Sequence, residues 1–240
     1  MIFWKKTKTL ELRCYPFESQ LPDLFPIELS KKVIPQWYKD LIPYKNVNAG
    51  RLMPTTKMCP GMKHFFDMGV TIPLWHDYKI SQMENGNISS VETPLNKRVW
   101  EMHQPEQWSG AFPGWEHIKL LNPWFIETDR PVQFVAMAPT WHQKNPAEYI
   151  IAPGALEFKY QHSCHVQMFL PPTNGVGRTI TLEAGTPILH LVPTEEVDLK
   201  ITFCEMDQRA HSKLVEKYVW TWENLYRKTR NIKESKNATH

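Results

Sequence analysis

Leu10, Leu12 and Cys14 alternate with Glu11 and Arg13 near the start of the chain, the period-two pattern of a strand with one buried face. Residues 7–15 are therefore predicted as a first β-strand. In the segment Ile-Pro-Gln-Trp-Tyr-Lys-Asp-Leu-Ile-Pro, Pro35 stands where a helix would begin and Pro43 where it must stop, which predicts a short surface helix. A second short helix is predicted in Cys-Pro-Gly-Met-Lys-His-Phe-Phe-Asp-Met-Gly. Pro60 marks its start, Gly69 its C-terminal cap, and Met62, Phe65 and Phe66 its apolar face.

From Val70 onward two alternating runs flank Glu84-Asn85-Gly86-Asn87, and Asn-Gly between such runs predicts a β-hairpin. An aromatic stretch around Trp100, Trp108 and Trp115 follows. Strand-like runs then recur at 117–121, 124–127, 132–137, 156–160, 165–170, 179–183, 188–192 and 197–205, a spacing that points to a sandwich or barrel. Leu214, Tyr218, Trp222 and Leu225 recur at three and four residues, predicting an amphipathic helix over 207–230 that packs on the sheet or on a second subunit. The expected fold is mainly β: a double-stranded β-helix of cupin or jelly-roll type, with short N-terminal helices and a C-terminal amphipathic helix. It is read as one domain over 1–230. Residues 7–69 supply the first strand and helices, 70–206 the barrel or sandwich, 207–230 the helix, and 231–240 a flexible tail.

Twenty prolines and ten tryptophans in 240 residues strengthen the β reading, because proline fixes φ and ends strands. Hydrophobic residues at 42% and charged residues at 22% supply an ordinary core and exclude disorder as a description of the whole chain. The net charge of +3, read as a basic excess at the two ends, lacks the clustered stripe of a nucleic-acid-binding face. Nucleic acid is therefore not an expected partner. No apolar run of signal-peptide length opens the chain, and none approaches the ~18 residues of a membrane span. A cytoplasmic location without a membrane partner is expected. Cys14, Cys59, Cys164 and Cys204 form no C-x-x-C pair, which predicts four reduced thiols.

A double-stranded β-helix can hold a divalent metal such as iron with histidines and a carboxylate from facing strands. His162 and His165, in Tyr-Gln-His-Ser-Cys-His, and His190, in Ala-Gly-Thr-Pro-Ile-Leu-His, are the candidate metal ligands. Ordinary strand histidines are the competing reading, since a regular strand aims His162 and His165 at opposite faces. His103, Glu106, His117 and Asn122 form a second cluster beside Gly110 and Pro113-Gly114, a faint echo of a cupin motif; of these, His103, Glu106 and His117 are singled out. With Trp75 and Asp77, placed at the mouth of the barrel, they are the candidate ligand-binding residues. Trp75-His76-Asp77 sets histidine and aspartate side by side, so the H-x-D pair of 2-oxoglutarate oxygenases is absent. No G-x-S-x-G elbow, dinucleotide fingerprint or P-loop occurs. Cys59 before Pro60 is the one thiol at a helix start. The crowded tryptophans either fill the core or form a stacking surface.

Five segments in order, IPQWYKDL, TTKMCPG, MGVTIPLWHD, NPWFIETD and AGTPILHLVP, span much of residues 16–206. Together they resemble an uncharacterised β-rich family encoded by tailed bacteriophages, including cyanophages, and by some bacteria. The resemblance implies a phage-type accessory protein, in the host cytoplasm or associated with the virion, and no settled activity. Three functional readings follow. The barrel binds a small molecule or metal, in the manner of a non-haem oxygenase. Alternatively the chain is a non-catalytic virion or interaction protein, with a protein partner or with a second copy bound through its C-terminal helix. The third reading is a carbohydrate-binding module with its tryptophans on one face.

Overall fold

The alternation at the start of the chain forms strand β1 (Lys8–Pro16), which removes Leu10, Leu12 and Cys14 completely from solvent. The computed structural model describes residues 8–47, 50–95, 98–108, 111–145 and 147–207. The helix predicted over 207–230, and the tail after it, fall outside the described residues from 208 onward. After β1 come helix α1 (Leu21–Leu24), β2 (Glu28–Leu29), α2 (Gln36–Asp40), the hairpin β3 (Tyr44–Val47) and β4 (Arg51–Pro54), and α3 (Pro60–Asp67). The chain continues through β5 (Val70–Pro73), β6 (Tyr78–Gln82), β7 (Ile88–Glu92), β8 (Trp100–His103), β9 (Glu116–Leu120), β10 (Trp124–Thr128) and β11 (Gln133–Met137). It ends with β12 (Ile150–Ile151), β13 (Gly154–Glu157), β14 (Val166–Leu170), β15 (Arg178–Leu182), β16 (Pro187–Pro193) and β17 (Val197–Phe203).

The fold is mainly β, in several sheets of which none closes on itself. A five-stranded sheet runs β13-β11-β16-β5-β2, a four-stranded one β12-β14-β9-β8, and two three-stranded ones β15-β6-β7 and β10-β1-β17. In the last, β1 lies parallel to β17 and antiparallel to β10, so the first described strand is held by the last. The predicted hairpin is β6–β7, with Gly86 at φ +92° in its turn. The run before it is broken at residues 74–77, where Leu74 exchanges backbone hydrogen bonds with Thr186 and Gly185 (2.8 and 2.7 Å). That break sends β5 and β6 to different sheets.

All four of these sheets bury one face in a single cluster. Leu12 and Ile126, Ile72 and Leu191, Ile118 and Met168, and Ile80 and Ile180 come from the four in turn. Trp75, Trp124, Tyr78 and Phe134 fill its interior and are fully buried. Period-two strands that commit one set of side chains to this core must send the alternate set the other way.

Gly69 follows α3 with φ +77°, and a Cβ built there would lie 2.1 Å from the carbonyl oxygen of Leu191 on β16. Gly175 also has a positive φ (+81°) but faces open space. Gly175→Ala should therefore cost about 1 kcal/mol, the left-handed penalty alone. Gly69→Ala should cost several-fold more or prevent folding, because a backbone carbonyl cannot move aside. Chemical denaturation of the two variants measures the difference; equal losses would contradict the close packing of α3's end on β16.

Candidate functional site

Among the residues singled out from sequence, the structure brings His103 and His117 together. They are directly opposed partners on β8 and β9, with ring centroids 4.5 Å apart. Glu101 and Lys119 are the opposed pair two residues along, and form an ion pair. On the next strand, β14, Gln167 opposes Lys119 and Phe169 opposes His117. The alternate residues Ile118, Leu120, Val166, Met168 and Leu170 are wholly buried in the core, so alternation turns this polar row onto the opposite face of the sheet. The segment after β8 covers it. Trp108 packs edge-on against His117 (4.9 Å) and Phe169 (5.0 Å), and Phe112 lies 4.5 Å from Phe169.

His117 stacks flat on Phe169 (4.4 Å, 7°), and its Nε2–H donates to Gln167 Oε1 (2.9 Å). That tautomer leaves Nδ1 as a buried acceptor without a partner among the described residues. His165 accepts the backbone N–H of Asn122 at its Nδ1 (3.1 Å). Asn122 is itself tied to Cys164 O and to the Trp124 N–H (2.8 and 3.1 Å). Burial, then the charges of His103 and Lys119, lower His117 to about 4; burial, then Lys119, lowers His165 to about 4. His103 is lowered too, by burial and Lys119, while Lys119 holds the Glu101 carboxyl below its usual range. At neutral pH the face therefore presents two uncharged imidazoles beside one ion pair. Its basic nitrogens are either covered or already engaged, and the adjacent Cys164 thiol is buried and raised in pKa. The arrangement is suited to holding the covering segment on the sheet rather than to moving protons.

The predicted metal ligands do not converge. His190 is turned from the core by Leu189 and Leu191; it donates from Nε2 to Met68 O (2.8 Å) and meets Phe65 edge-on (4.9 Å). With Ser30, Thr71 and His142 it lines a pocket of only about 10 Å³. His162 belongs to the edge of the β1 sheet, where it stacks on Phe125 (4.4 Å) and bonds Ile126 O through Nδ1 (3.1 Å). His165 lies beside Asn122, on the four-stranded sheet. No three His, Cys, Asp or Glu side chains among the described residues are grouped to hold a metal ion. Trp75 is a core residue and lines no mouth. The Asp77 carboxylate accepts the Ala184 N–H (2.7 Å) and so ties the 74–77 break to the turn before β16. Glu106 lies exposed in the segment over His117. Cys59 is exposed at the start of α3.

Sequence reasoning missed the hairpin β3–β4, as it missed the short elements α1, β2, β8 and β12. Every residue of both strands of the hairpin is exposed, and among the described residues the pair joins no other sheet. One face carries Tyr44, Asn46 and Leu52, the other Lys45, Val47, Arg51 and Met53, by the observed register. Its root is firm. Thr55 donates to Pro43 O and Ile42 O (2.9 and 2.6 Å), and Lys57 Nζ donates to Tyr38 O (2.7 Å) while lying over the Tyr38 ring. Beside the root, Trp37 Nε1 donates to Trp141 O (2.9 Å), and the two half-exposed rings meet at 48°. Gly50 between two four-residue runs was the available signal, but neither run alternates apolar with polar. No protein-family model, curated protein or solved structure matches the chain.

His117, His142 and His165 all stand near 4 in the folded chain, against about 6.5 when unfolded. Between those values the unfolded chain binds protons that the folded chain refuses, so stability is complete above pH ~6.5 and drains away toward pH ~4. The Tm should begin falling below pH 6.5, above the range where the Glu11 and Glu101 carboxylates titrate. His117→Gln should flatten the slope. A Tm unchanged from pH 7 to 4.5 would show that these imidazoles are not held neutral.

Proposed function

We propose that this chain is a non-catalytic interaction protein that docks a partner through the β3–β4 arm. The observation that carries this reading is the arm itself, whose eight strand residues are all exposed, Leu52 (67%), Tyr44 (50%) and Met53 (46%) among them. A two-stranded ribbon is marginal alone, and exposed apolar side chains, here Tyr44 and Leu52 on one face and Val47 and Met53 on the other, mark contact surfaces. Ile42 and Met58 extend the apolar surface at the root. The packing of the interior supports the same reading. Trp75, Trp124, Tyr78 and Phe134 fill the interior of the common core, which leaves no ligand space between the sheets at those positions. A sugar platform is disfavoured, because Trp37 and Trp141 are inclined to each other rather than coplanar. An accessory role, in a virion or in the host cell, fits the resemblance to tailed-phage proteins.

Leu52→Asp should leave the Tm within about 2 °C of wild type, since an exposed site contributes little to folding. A photo-crosslinking residue at position 52 should give a discrete adduct in source cells, and one at Val176, an exposed loop position, should give none. Equal labelling from both sites would remove the docking reading. Elemental analysis of protein purified without tag or chelator should find metal well below one per chain, unchanged by His190→Ala. Stoichiometric iron or zinc lost in that variant would replace the interaction reading with the metal-enzyme one.

A further inference from the structure

We infer that the arm's partner is an acidic strand of another protein, added to the free edge of β3; this rests on the docking reading above. The charge of the chain is not confined to its ends. Residues 29–66 hold seven lysines and arginines against the single acid Asp40, a net +6, although the whole chain carries +3. The remaining residues together are therefore net −3, and the arm with its flanks is a basic stretch of the described chain. Lys31, Lys32, Lys39, Lys45, Arg51 and Lys63 are all exposed there.

Charge decides among the occupants. A second copy would set the same basic arm against itself, with Lys45 and Arg51 on one face of the ribbon. The chain's own residues 208–240 hold eight lysines and arginines against three glutamates, so they too are repelled. An anionic partner remains, and the backbone then selects its class. Tyr44–Val47 forms no backbone hydrogen bond beyond the ladder to β4 among the described residues. Lipid would leave those edge groups unsatisfied, whereas an extended peptide pairs with them directly. β3 contains no proline, while β4 ends in Pro54, which makes β3 the edge with the fuller set of donors. Single-stranded nucleic acid gains much of its binding by stacking bases on aromatic rings. The arm itself offers the single ring of Tyr44 among aliphatic and thioether side chains. A strand alternating acidic and apolar residues meets both demands, carboxylates toward Lys45 and Arg51 and apolar side chains toward Tyr44 and Leu52.

The test uses the full chain and four labelled probes: an alternating Glu-Val octapeptide, its Lys-Val counterpart, phosphatidylserine vesicles and a single-stranded oligonucleotide. Fluorescence anisotropy should show binding of the acidic peptide alone. Lys45→Glu combined with Arg51→Glu should weaken it roughly tenfold, as expected for two exposed charge pairs. Hydrogen exchange should slow at Tyr44–Val47 when the acidic peptide is bound. Equal binding of both peptides, no acidic-peptide binding, or protection of the same amides by vesicles or oligonucleotide would each overturn the inference. A discrete crosslink from position 52 without acidic-peptide binding would leave docking standing and remove the acidic strand; no crosslink would remove both.

Discussion

Each strand of the four main sheets commits one face to a common apolar core, and that commitment places nearly every other side chain in the molecule. Leu10, Leu12 and Cys14 of β1 enter it beside Ile126 of β10 and near Ile72, Ile118 and Leu191 from other sheets. With a side-chain period of two, a slip of one residue in any of these strands would exchange core for surface along its whole length. The registry of β1 with β17 and β10 is thus bound to the registry of the rest, since all draw on the same buried volume. Trp75 and Trp124 take up space that a ligand cavity would need.

The same constraint explains where the histidines went. His190 lies between Leu189 and Leu191, and His117 immediately precedes Ile118, so burial of the aliphatic neighbours turns both imidazoles away from the centre. They are then covered a second time, His190 by α3 and His117 by the segment carrying Trp108 and Phe112. Covered imidazoles without a carboxylate partner stay uncharged, which is why burial is the largest cause of their lowered pKa values. These polar layers join peripheral segments to the sheets. Metal binding by His162, His165 and His190 would require these residues to converge, and they lie at three different sheets.

The arm stands outside this economy of burial. It gains nothing from the core, yet it is rooted by Thr55 and Lys57 and retains Tyr44, Val47, Leu52 and Met53 in solvent. Lys45 and Arg51 discourage pairing between copies, as charged residues do on exposed edges. The basic stretch around it gives the surface a sign as well as a shape.

Much of the β architecture was legible in the sequence because alternation is a local consequence of one-sided burial. β1, the β6–β7 hairpin, β9 to β11 and β14 to β17 all announce themselves by pattern or by Asn-Gly, and α2 and α3 by their prolines. What alternation cannot encode is which sheet a strand joins or whether a sheet closes. Those depend on contacts between residues as distant as Lys8 and Val197. His162, His165 and His190 are kept apart for that reason, while His103 and His117, grouped in sequence only as one cluster, meet because β8 and β9 are near neighbours in the chain. The β3–β4 arm was invisible, since a ribbon exposed on both faces has no buried side to impose a period. By itself the sequence determined a mainly β chain with an apolar core, because one-sided burial writes its period into each strand. Only the tertiary structure decided that the core is filled, that His117 and His190 face away from it, and that Lys45 and Arg51 share one face of an exposed two-stranded arm.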